Sequence, residues 1–192
     1  VMAFCVLLLA AEHSHGELRR LVDRDELTGV HSRRAFLHRL QQLSEGGLER
    51  PALPILLIDL DHFKRINDTW GHSTGDDALR HFVEVAQRCM RVQDTMGRLG
   101  GEEFAVLLPR ASVEQAQGVA ERLRKLLVDH PLRLADENVA LTASIGVTLL
   151  RPGESPEVAL GRADQAMYQA KSEGRNRVVS VLSPVVAGVR VA

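Results

Sequence analysis

The sequence predicts an α/β fold of the α+β kind, a mixed central β-sheet flanked by helices. Segments with the periodicity of amphipathic helices alternate with strand-like segments, in the order helix, strand, helix, hairpin, helix, strand, helix, strand. The hairpin makes at least one pair of strands antiparallel, which favours a mixed sheet over a doubly wound parallel one. With 192 residues, 45% of them apolar, the chain is long enough for one domain with a sizeable core.

The first half of the domain begins at Thr28-Gly29, a turn that ends a preceding N-terminal helix. Ser32 is placed to N-cap a helix that Gly46-Gly47 ends. The continuous apolar run Leu53–Leu60 predicts a central strand buried on both faces, and a polar loop is expected after it. A second amphipathic helix is predicted over Asp76–Met90.

A hairpin follows, with strands over Thr95–Leu99 and Glu103–Leu108. Gly100-Gly101 between them favours a type I′ turn, in which both central residues have positive φ. The capping-box pair Ser112 and Gln115 starts a third helix. The remaining elements are an alternating, half-buried strand over 139–149, a helix that begins at Ser155-Pro156 and stops at Gly174, and a closing strand over Arg177–Leu182.

Composition excludes several classes of function. The 24 basic and 25 acidic residues give a formal net charge of −1, so no whole-chain field attracts nucleic acid or an anionic membrane. A metal-dependent nuclease is disfavoured because it needs a basic surface. The two cysteines, Cys5 and Cys89, lie far apart without a C-x-x-C spacing, so neither a disulfide framework nor a thiolate zinc site is expected.

The first eleven residues are all apolar, which leaves two interpretations open. At about 1.5 Å per residue they are too short to cross a bilayer core of about 30 Å, and no basic stretch precedes them as in a signal peptide. They could end a transmembrane or signalling helix of a longer parent protein, or form a short helix packed on a partner copy or on the domain. We divide the chain into an N-terminal helical segment at 1–24, a folded domain at 25–182 and a tail at 183–192.

Two acidic clusters interrupt the pattern where a packed domain does not need them. Asp59-Leu60-Asp61 ends the buried strand, where a carboxylate is costly to bury unless a cation or several donors meet it. Glu102 and Glu103 follow the hairpin glycines. Each cluster alone has an ordinary explanation, a capping aspartate or a solvated acidic turn. Together, strand-end and hairpin carboxylates could converge on one Mg²⁺, as in nucleotidyl transfer.

A cationic pair, Lys171 and Arg175, lies four residues apart at the end of the last helix. The helix dipole favours cations there, which is one explanation for the pair. The other is that the pair holds phosphates and completes a nucleotide site.

In this combination the residues resemble the GGDEF domain of diguanylate cyclases. The signature loop stands as the GGEEF variant, at positions 100–104. Ser32 departs from the family's usual Asn before Arg33-Arg34, and no catalytic consequence is expected. The other motifs match in the family's order from about Asp25 to Val179: DELTG at 25–29, DLDHFKRIND at 59–68, GH with GD at 71–76, ASIGV at 143–147, and ADQAMYQAK with GRNR at 163–177.

The resemblance implies a fold similar to nucleotide cyclases and the polymerase palm, and condensation of two GTP into cyclic di-GMP with release of two pyrophosphates. It implies that Asp59, the Leu60 carbonyl, Glu102 and Glu103 bind two Mg²⁺ ions per active site, with Mn²⁺ as an alternative ion. Glu102 would also accept the proton, and Lys64 would offset charge in the transition state. The other substrate positions it implies are Asn67 and Asp76 for guanine, His72 nearby, and Lys171 and Arg175 for the terminal phosphates.

The resemblance also implies regulation and assembly. Arg91 and Asp94 match the R-x-x-D site at which cyclic di-GMP inhibits the enzyme, and Arg122 matches its secondary position. Each domain holds one GTP, so the active form would be a homodimer whose N-terminal helices pair. The domain would be cytoplasmic, in a parent protein anchored at the inner membrane or joined to a sensor domain. The alternative function is a catalytically inactive domain that senses GTP or cyclic di-GMP.

Overall fold

The structure, a computed structural model, describes residues 23–45, 51–135 and 137–182. The predicted N-terminal helix up to residue 22, Cys5 and the predicted tail lie outside the described residues. The elements in chain order are α1 (Arg33–Ser44), β1 (Leu53–Leu60), α2 (Phe63–Trp70), α3 (His72–Gln87), β2 (Thr95–Gly100), β3 (Glu103–Leu107), α4 (Val113–Asp129), β4 (Leu132–Arg133), β5 (Asn138–Val139), β6 (Ala143–Leu150), α5 (Pro156–Ser172) and β7 (Arg177–Ser180).

The main sheet has five strands in the order β2-β3-β1-β6-β7. β1 pairs antiparallel with β3 and β6, and β2 pairs antiparallel with β3, whereas β6 and β7 are parallel. The predicted mixed sheet flanked by helices is therefore confirmed. β1 lies in the middle because its apolar side chains serve both faces, and all eight of its residues are buried. A small second sheet of β4 and β5 is absent from the sequence prediction.

Three helices begin at the predicted caps. The Ser32 side chain accepts a hydrogen bond from a first-turn amide of α1. Ser112 and Gln115 form both halves of the capping box before α4. Ser155 caps α5, and Pro156 stands in its first turn. These bonds satisfy amide groups that have no carbonyl partner within the helix, so the local sequence determines where each helix starts.

The prediction of a polar loop after β1 is wrong, because Phe63–Trp70 form the helix α2. The residue that caps it, His62, has a φ of 58° and makes no side-chain cap bond, so the sequence carries no helix-start signal there. The next helix, α3, begins at His72 rather than at the predicted Asp76. Gly75 therefore lies within this helix and does not precede it.

The hairpin is present, but its turn differs from the predicted one. Gly100 still belongs to β2 and pairs with Glu103, so Gly101, with a φ of 48°, and Glu102 occupy the turn. The register shifts between Arg98 and Gly100, and a bulge of this kind redirects the end of a strand. The two glycines therefore do not form the predicted type I′ pair.

The half-buried strand predicted over 139–149 is also wrong. Only the first residue of the predicted strand, Val139, belongs to β5, and residues 143–149 belong to β6. β6 is buried on both faces. Ser144, Gly146 and Thr148, on the face expected to be exposed, are all buried. A Cβ at Gly146 would lie 2.3 Å from the carbonyl oxygen of Ala163, so the glycine lets α5 pack directly on the sheet.

Apolar side chains fill both faces of the main sheet. On one face, α3 and α4 cover a cluster that includes Phe82 and Phe104, whose ring centroids are 4.7 Å apart. On the other, α1 and α5 contribute Phe36 and Met167. Within residues 23–45, 51–135 and 137–182, none of the helices combines the length and apolar character that a bilayer crossing needs. The polar clusters singled out from the sequence lie at the rim of this core.

Candidate active site

Asp59 lies at the end of the central strand β1, between Glu103 of β3 and Ser144 of β6. It is 6% exposed, and the Lys171 ammonium nitrogen is 2.7 Å from its Oδ2. Burial raises the pKa of Asp59, and the charges of Glu102 and Glu103 act in the same direction, whereas Lys171 opposes them. Asp59 therefore lies in a cluster of negative charge that Lys171 offsets in part.

The hairpin places Glu102 and Glu103 beside this strand end. The N–H of Leu60 donates to the carbonyl oxygen of Glu102 at 3.3 Å, and Glu103 is the register partner of Asp59. Both glutamates are half-buried. The structure therefore brings together, at one rim of the sheet, the residues that the sequence singled out as metal ligands.

Arg98 holds the turn of the hairpin. Its Nε donates to the Gly101 carbonyl at 2.8 Å, and its Nη1 donates to the Asp25 carboxylate at 3.2 Å. Asp25 also accepts hydrogen bonds from the N–H and the hydroxyl of Thr28. Burial opposes ionisation of Asp25, but the hydrogen bonds from Thr28 and Arg98 outweigh it and lower its pKa. The turn that carries Glu102 is thus tied to the start of the domain.

The donor set at this rim suits a hard divalent cation. Carboxylate oxygens of Asp59, Glu102 and Glu103, with the carbonyl of Leu60, are the ligand types that Mg²⁺ prefers. In the part of the chain that the structure describes, no three His, Cys, Asp or Glu side chains already surround a common point. Lys171 instead provides the positive charge on Asp59. The residues fit the ion by the chemistry of their oxygen donors.

Helices α2 and α3 carry the residues implied for the base of the substrate. Asn67 and Asp76 are half-buried, whereas Lys64 and His72 are exposed. A Cβ at Gly75 would lie 1.9 Å from Oδ1 of Asn67, so the two helices meet at this glycine. The close approach places the Asn67 amide beside the residue that precedes Asp76. Asn67 therefore lies beside the residue next to Asp76, and Lys64 and His72 lie on the same two helices.

The end of α5 and the turn after it carry Lys171 and Arg175. Lys171 makes the ion pair described above, and Arg175 is exposed with a φ of 64°. The next N–H, that of Asn176, donates to the Asp61 carboxylate at 2.9 Å, which also accepts from the Ser144 hydroxyl at 2.7 Å. Asp61 therefore accepts neutral hydrogen bonds from the backbone and a hydroxyl, whereas Asp59 pairs with the charged Lys171.

The R-x-x-D turn lies before β2. The N–H of Arg91 donates to Oδ2 of Asp94 at 2.7 Å, and the N–H of Asp94 donates back to the Arg91 carbonyl at 3.0 Å. Arg122 of α4 donates to the carbonyl of Cys89 at 3.0 Å, which places its guanidinium beside the turn. The turn borders a cleft of about 800 Å³ whose lining includes three further arginines, Arg24, Arg39 and Arg110.

Comparison with known proteins gives one consistent family. A family profile described as "Diguanylate cyclase, GGDEF domain" matches residues 22–177. The chain belongs to the GGDEF domain family. It is 39% identical over 170 residues to diguanylate cyclase DgcP of Pseudomonas aeruginosa, a match that covers 88% of this chain and 25% of DgcP.

Solved structures agree with this assignment of the GGDEF domain. The coiled coil and GGDEF domain of DgcB from Caulobacter crescentus, in complex with c-di-GMP, superposes with a TM-score of 0.83 at 32% identity, covering 94% of this chain and 97% of that one. The active GGEEF domain of a diguanylate cyclase from Vibrio cholerae gives a TM-score of 0.62 at 34% identity, with coverage of 77% and 88%. The chain spans less than half the length of the first curated relatives that it matches.

Two residues that shape the site of this GGDEF domain are not assigned a role by the sequence prediction. Arg98 stands just before the hairpin glycines, and that position is the signal that could have marked it. Asp61 is recognised only as a strand-end carboxylate, because its partners Ser144 and Asn176 lie 83 and 115 positions further along the chain. No local pattern connects residues so far apart.

Proposed function

We propose that this GGDEF domain is an active diguanylate cyclase that joins two GTP into cyclic di-GMP. The 3′-oxygen of each GTP attacks the α-phosphorus of the other, and the bond from that phosphorus to its pyrophosphate breaks. Two pyrophosphates leave, and the two hydroxyl protons pass to bases. The observation that supports this most is the cluster of Asp59, Glu102 and Glu103 beside Lys171. Such a cluster suits cations that neutralise phosphate charge during the transfer.

Asp59, the Leu60 carbonyl, Glu102 and Glu103 are the groups that would hold two Mg²⁺ ions, with Mn²⁺ as an alternative. When bound, these ions supply positive charge at the phosphates and lower the pKa of the 3′-hydroxyl. The half-buried Glu102 at the hairpin turn is the proposed proton acceptor. Lys171, at the edge of the acidic cluster, is positioned to exchange the Asp59 carboxylate for a substrate phosphate.

We assign the guanine base to Asn67 and Asp76. A carboxylate accepts hydrogen bonds from N1–H and the 2-amino group of guanine, and adenine presents no such edge. A site built around matched hydrogen bonds rejects a base that lacks them by roughly 10⁴-fold. The remaining assignments are Lys64 for transition-state charge, His72 as a further substrate contact, and Lys171 with Arg175 for the terminal phosphates.

One domain binds one GTP, so a product with two phosphodiester bonds requires two domains that face each other across a two-fold axis. The active form we propose is therefore a homodimer. The test is incubation with GTP and Mg²⁺ over a range of protein concentrations, with cyclic di-GMP measured by chromatography. We expect a specific activity that rises with protein concentration and is lost on chelation of the metal. A dimeric domain that binds GTP and yields no product would instead support an inactive sensor.

Gly75→Ala tests the guanine assignment. The new Cβ would lie 1.9 Å from Oδ1 of Asn67, so the amide must leave its present position. Loss of about one hydrogen bond to the base should raise the KM for GTP about tenfold. Steady-state kinetics measures this effect. Gly118→Ala is the matched control, because a Cβ there meets nothing within 4 Å, and an unchanged KM in Gly75→Ala would contradict the role of Asn67.

Product inhibition is proposed for the cleft at Arg91, Asp94 and Arg122. Its arginines suit the two phosphates of cyclic di-GMP, since a charge-assisted hydrogen bond from a guanidinium to phosphate is about twice as strong as a neutral one. Arg91→Ala should weaken cyclic di-GMP binding about tenfold or more and raise the amount of product accumulated. Calorimetric titration measures the affinity, with the exposed Arg88→Ala as control. Equal affinities in both variants would count against this site.

A further inference from the structure

We propose that Asp61 is a positioning residue that fixes the turn after α5, and with it Arg175, for the triphosphate of the substrate. This inference rests on the proposed function, since it concerns how the same site holds GTP. Asp61 follows the last residue of β1 and is 5% exposed. A buried carboxylate must accept hydrogen bonds from neighbouring donors, so it holds the groups that donate to it in place.

The carboxylate of Asp61 connects three parts of the chain. Oδ1 accepts from the Ser144 hydroxyl of β6 at 2.7 Å. Oδ2 accepts from the Thr142 hydroxyl at 2.8 Å and from the N–H of Asn176 at 2.9 Å. The last bond is the one that reaches the turn between α5 and β7. Asp61 therefore joins the end of the central strand to the backbone that follows Arg175.

That turn has a backbone that ordinary residues rarely adopt. Gly174, Arg175 and Asn176 follow one another with φ values of 115°, 64° and 44°. Glycine tolerates this region and Asn adopts it more readily than most residues, whereas Arg carries a steric penalty there and keeps the conformation only where neighbouring groups fix it. The bonds that fix it include the one from the Arg175 N–H to the Ala170 carbonyl at 2.9 Å and the one from the Asn176 N–H to Asp61. Arg124 holds the Asn176 side chain through its Oδ1 at 3.1 Å.

Two carboxylates of one strand end thus control the two cations proposed for the terminal phosphates. Asp59 holds Lys171 through an ion pair, and Asp61 holds Arg175 through the backbone of the next residue. The direction of the change in affinity for the triphosphate distinguishes this positioning role from a simple charge effect. Removing a negative charge near an anionic ligand would strengthen binding, whereas releasing Arg175 from its position weakens it.

The test compares a triphosphate with a monophosphate. The ligands are 3′-deoxy-GTP, which lacks the attacking hydroxyl and cannot react, and GMP, each titrated calorimetrically with Mg²⁺ present. We expect Asp61→Ala to weaken 3′-deoxy-GTP about tenfold and to leave GMP within twofold, with KM for GTP rising more than kcat falls. Asp61→Asn keeps an acceptor for the Asn176 N–H but loses its charge, so we expect a smaller loss of about threefold. It also replaces Asp61→Ala as the deciding variant if the alanine variant does not fold.

Ser144→Ala is the matched control, because it removes another buried partner of the same carboxylate and leaves the bond to Asn176. It should keep the wild-type preference for the triphosphate. A preference that is unchanged in the folded Asp61 variants, or an equal loss for both ligands, overturns the inference. A loss of triphosphate affinity in Ser144→Ala as large as that in the Asp61 variants also overturns the inference. A wild-type domain without any preference for the triphosphate overturns the proposed function itself.

Discussion

Replacing Glu102 by Gln is expected to lower cyclic di-GMP formation at least about a hundredfold, because loss of one charged ligand weakens the stabilisation of the transferring phosphates. Glu102 lies at the hairpin turn, half-buried and next to the strand end of Asp59. Glutamine has the same size, so packing is preserved. The loss should fall on kcat, measured under saturating GTP, and raising the Mg²⁺ concentration should recover only part of it.

Glu84→Gln is the matched control for this change, since it removes one charge from an exposed glutamate of α3. It should retain wild-type turnover. Thermal melts of both variants should coincide with that of the wild type within a few degrees. Activity within a few-fold of wild type in Glu102→Gln would mean that Glu102 is neither an essential metal ligand nor the proton acceptor, although the protein would still be a cyclase.

The prediction from sequence succeeds where local chemistry determines the structure. Ser112, Ser155 and the apolar run of β1 are read correctly because caps and burial act over a few neighbouring residues. α2 is missed for a physical reason. It buries only Phe63 and Ile66 and starts at a residue that makes no side-chain cap bond, so its sequence lacks both signals that identify a helix.

The error over β6 has a different origin. Alternation of apolar and small polar residues is typical of a strand with one solvated face. Here α5 covers that face, and each buried hydroxyl finds a partner: Ser144 donates to Asp61, and Thr148 donates to the Val181 carbonyl. The pattern alone cannot separate a polar residue in water from one that is buried and satisfied.

The same difference between local signals and long-range contacts applies to the candidate site. Asp59, Glu102 and Glu103 could be predicted because each stands at a recognisable strand end or turn. The Lys171 ion pair with Asp59 could not, because it depends on how closely α5 packs on β6 at Gly146. Sequence analysis therefore predicted groups that the structure brings close together, but not the contacts that hold them.

A buried polar network at Arg162 stabilises the packing of α5. The Arg162 side chain is 3% exposed and makes two hydrogen bonds to the Glu154 carboxylate, at 2.6 and 2.8 Å. Its Nε donates to the Thr148 hydroxyl at 2.8 Å, and the Leu149 carbonyl accepts from it as well. The hydrogen bonds with Arg162 hold the pKa of Glu154 below its ordinary value. Arg162 therefore ties α5 to the end of β6.

Arg162→Met is expected to lower the free energy of unfolding by about 3 kcal/mol, because it removes the hydrogen bonds of a buried guanidinium and leaves the half-buried Glu154 carboxylate with the Arg151 N–H as a donor but without the guanidinium. Urea denaturation at pH 7 measures the loss. Arg162→Lys keeps the charge but not the forked geometry, so it should recover part of the stability. Because α5 carries Lys171, any Arg162→Met protein that folds should also show a weakened affinity for GTP.

The control for this substitution is Arg80→Met. Arg80 pairs with Asp77 at 2.7 Å, but both side chains are about half exposed, and such pairs contribute about 0–1 kcal/mol. The pH dependence of stability tests the ion pair in a second way.

The pKa of Glu154 is lower in the folded protein than its ordinary value of 4.5, so the stabilisation by the Arg162–Glu154 pair is complete above that pH and is lost as the pH falls below it. The stability difference between wild type and Arg162→Met should therefore shrink in acid, and a difference independent of pH, or as small as that of Arg80→Met, would show that the ion pair does not hold α5.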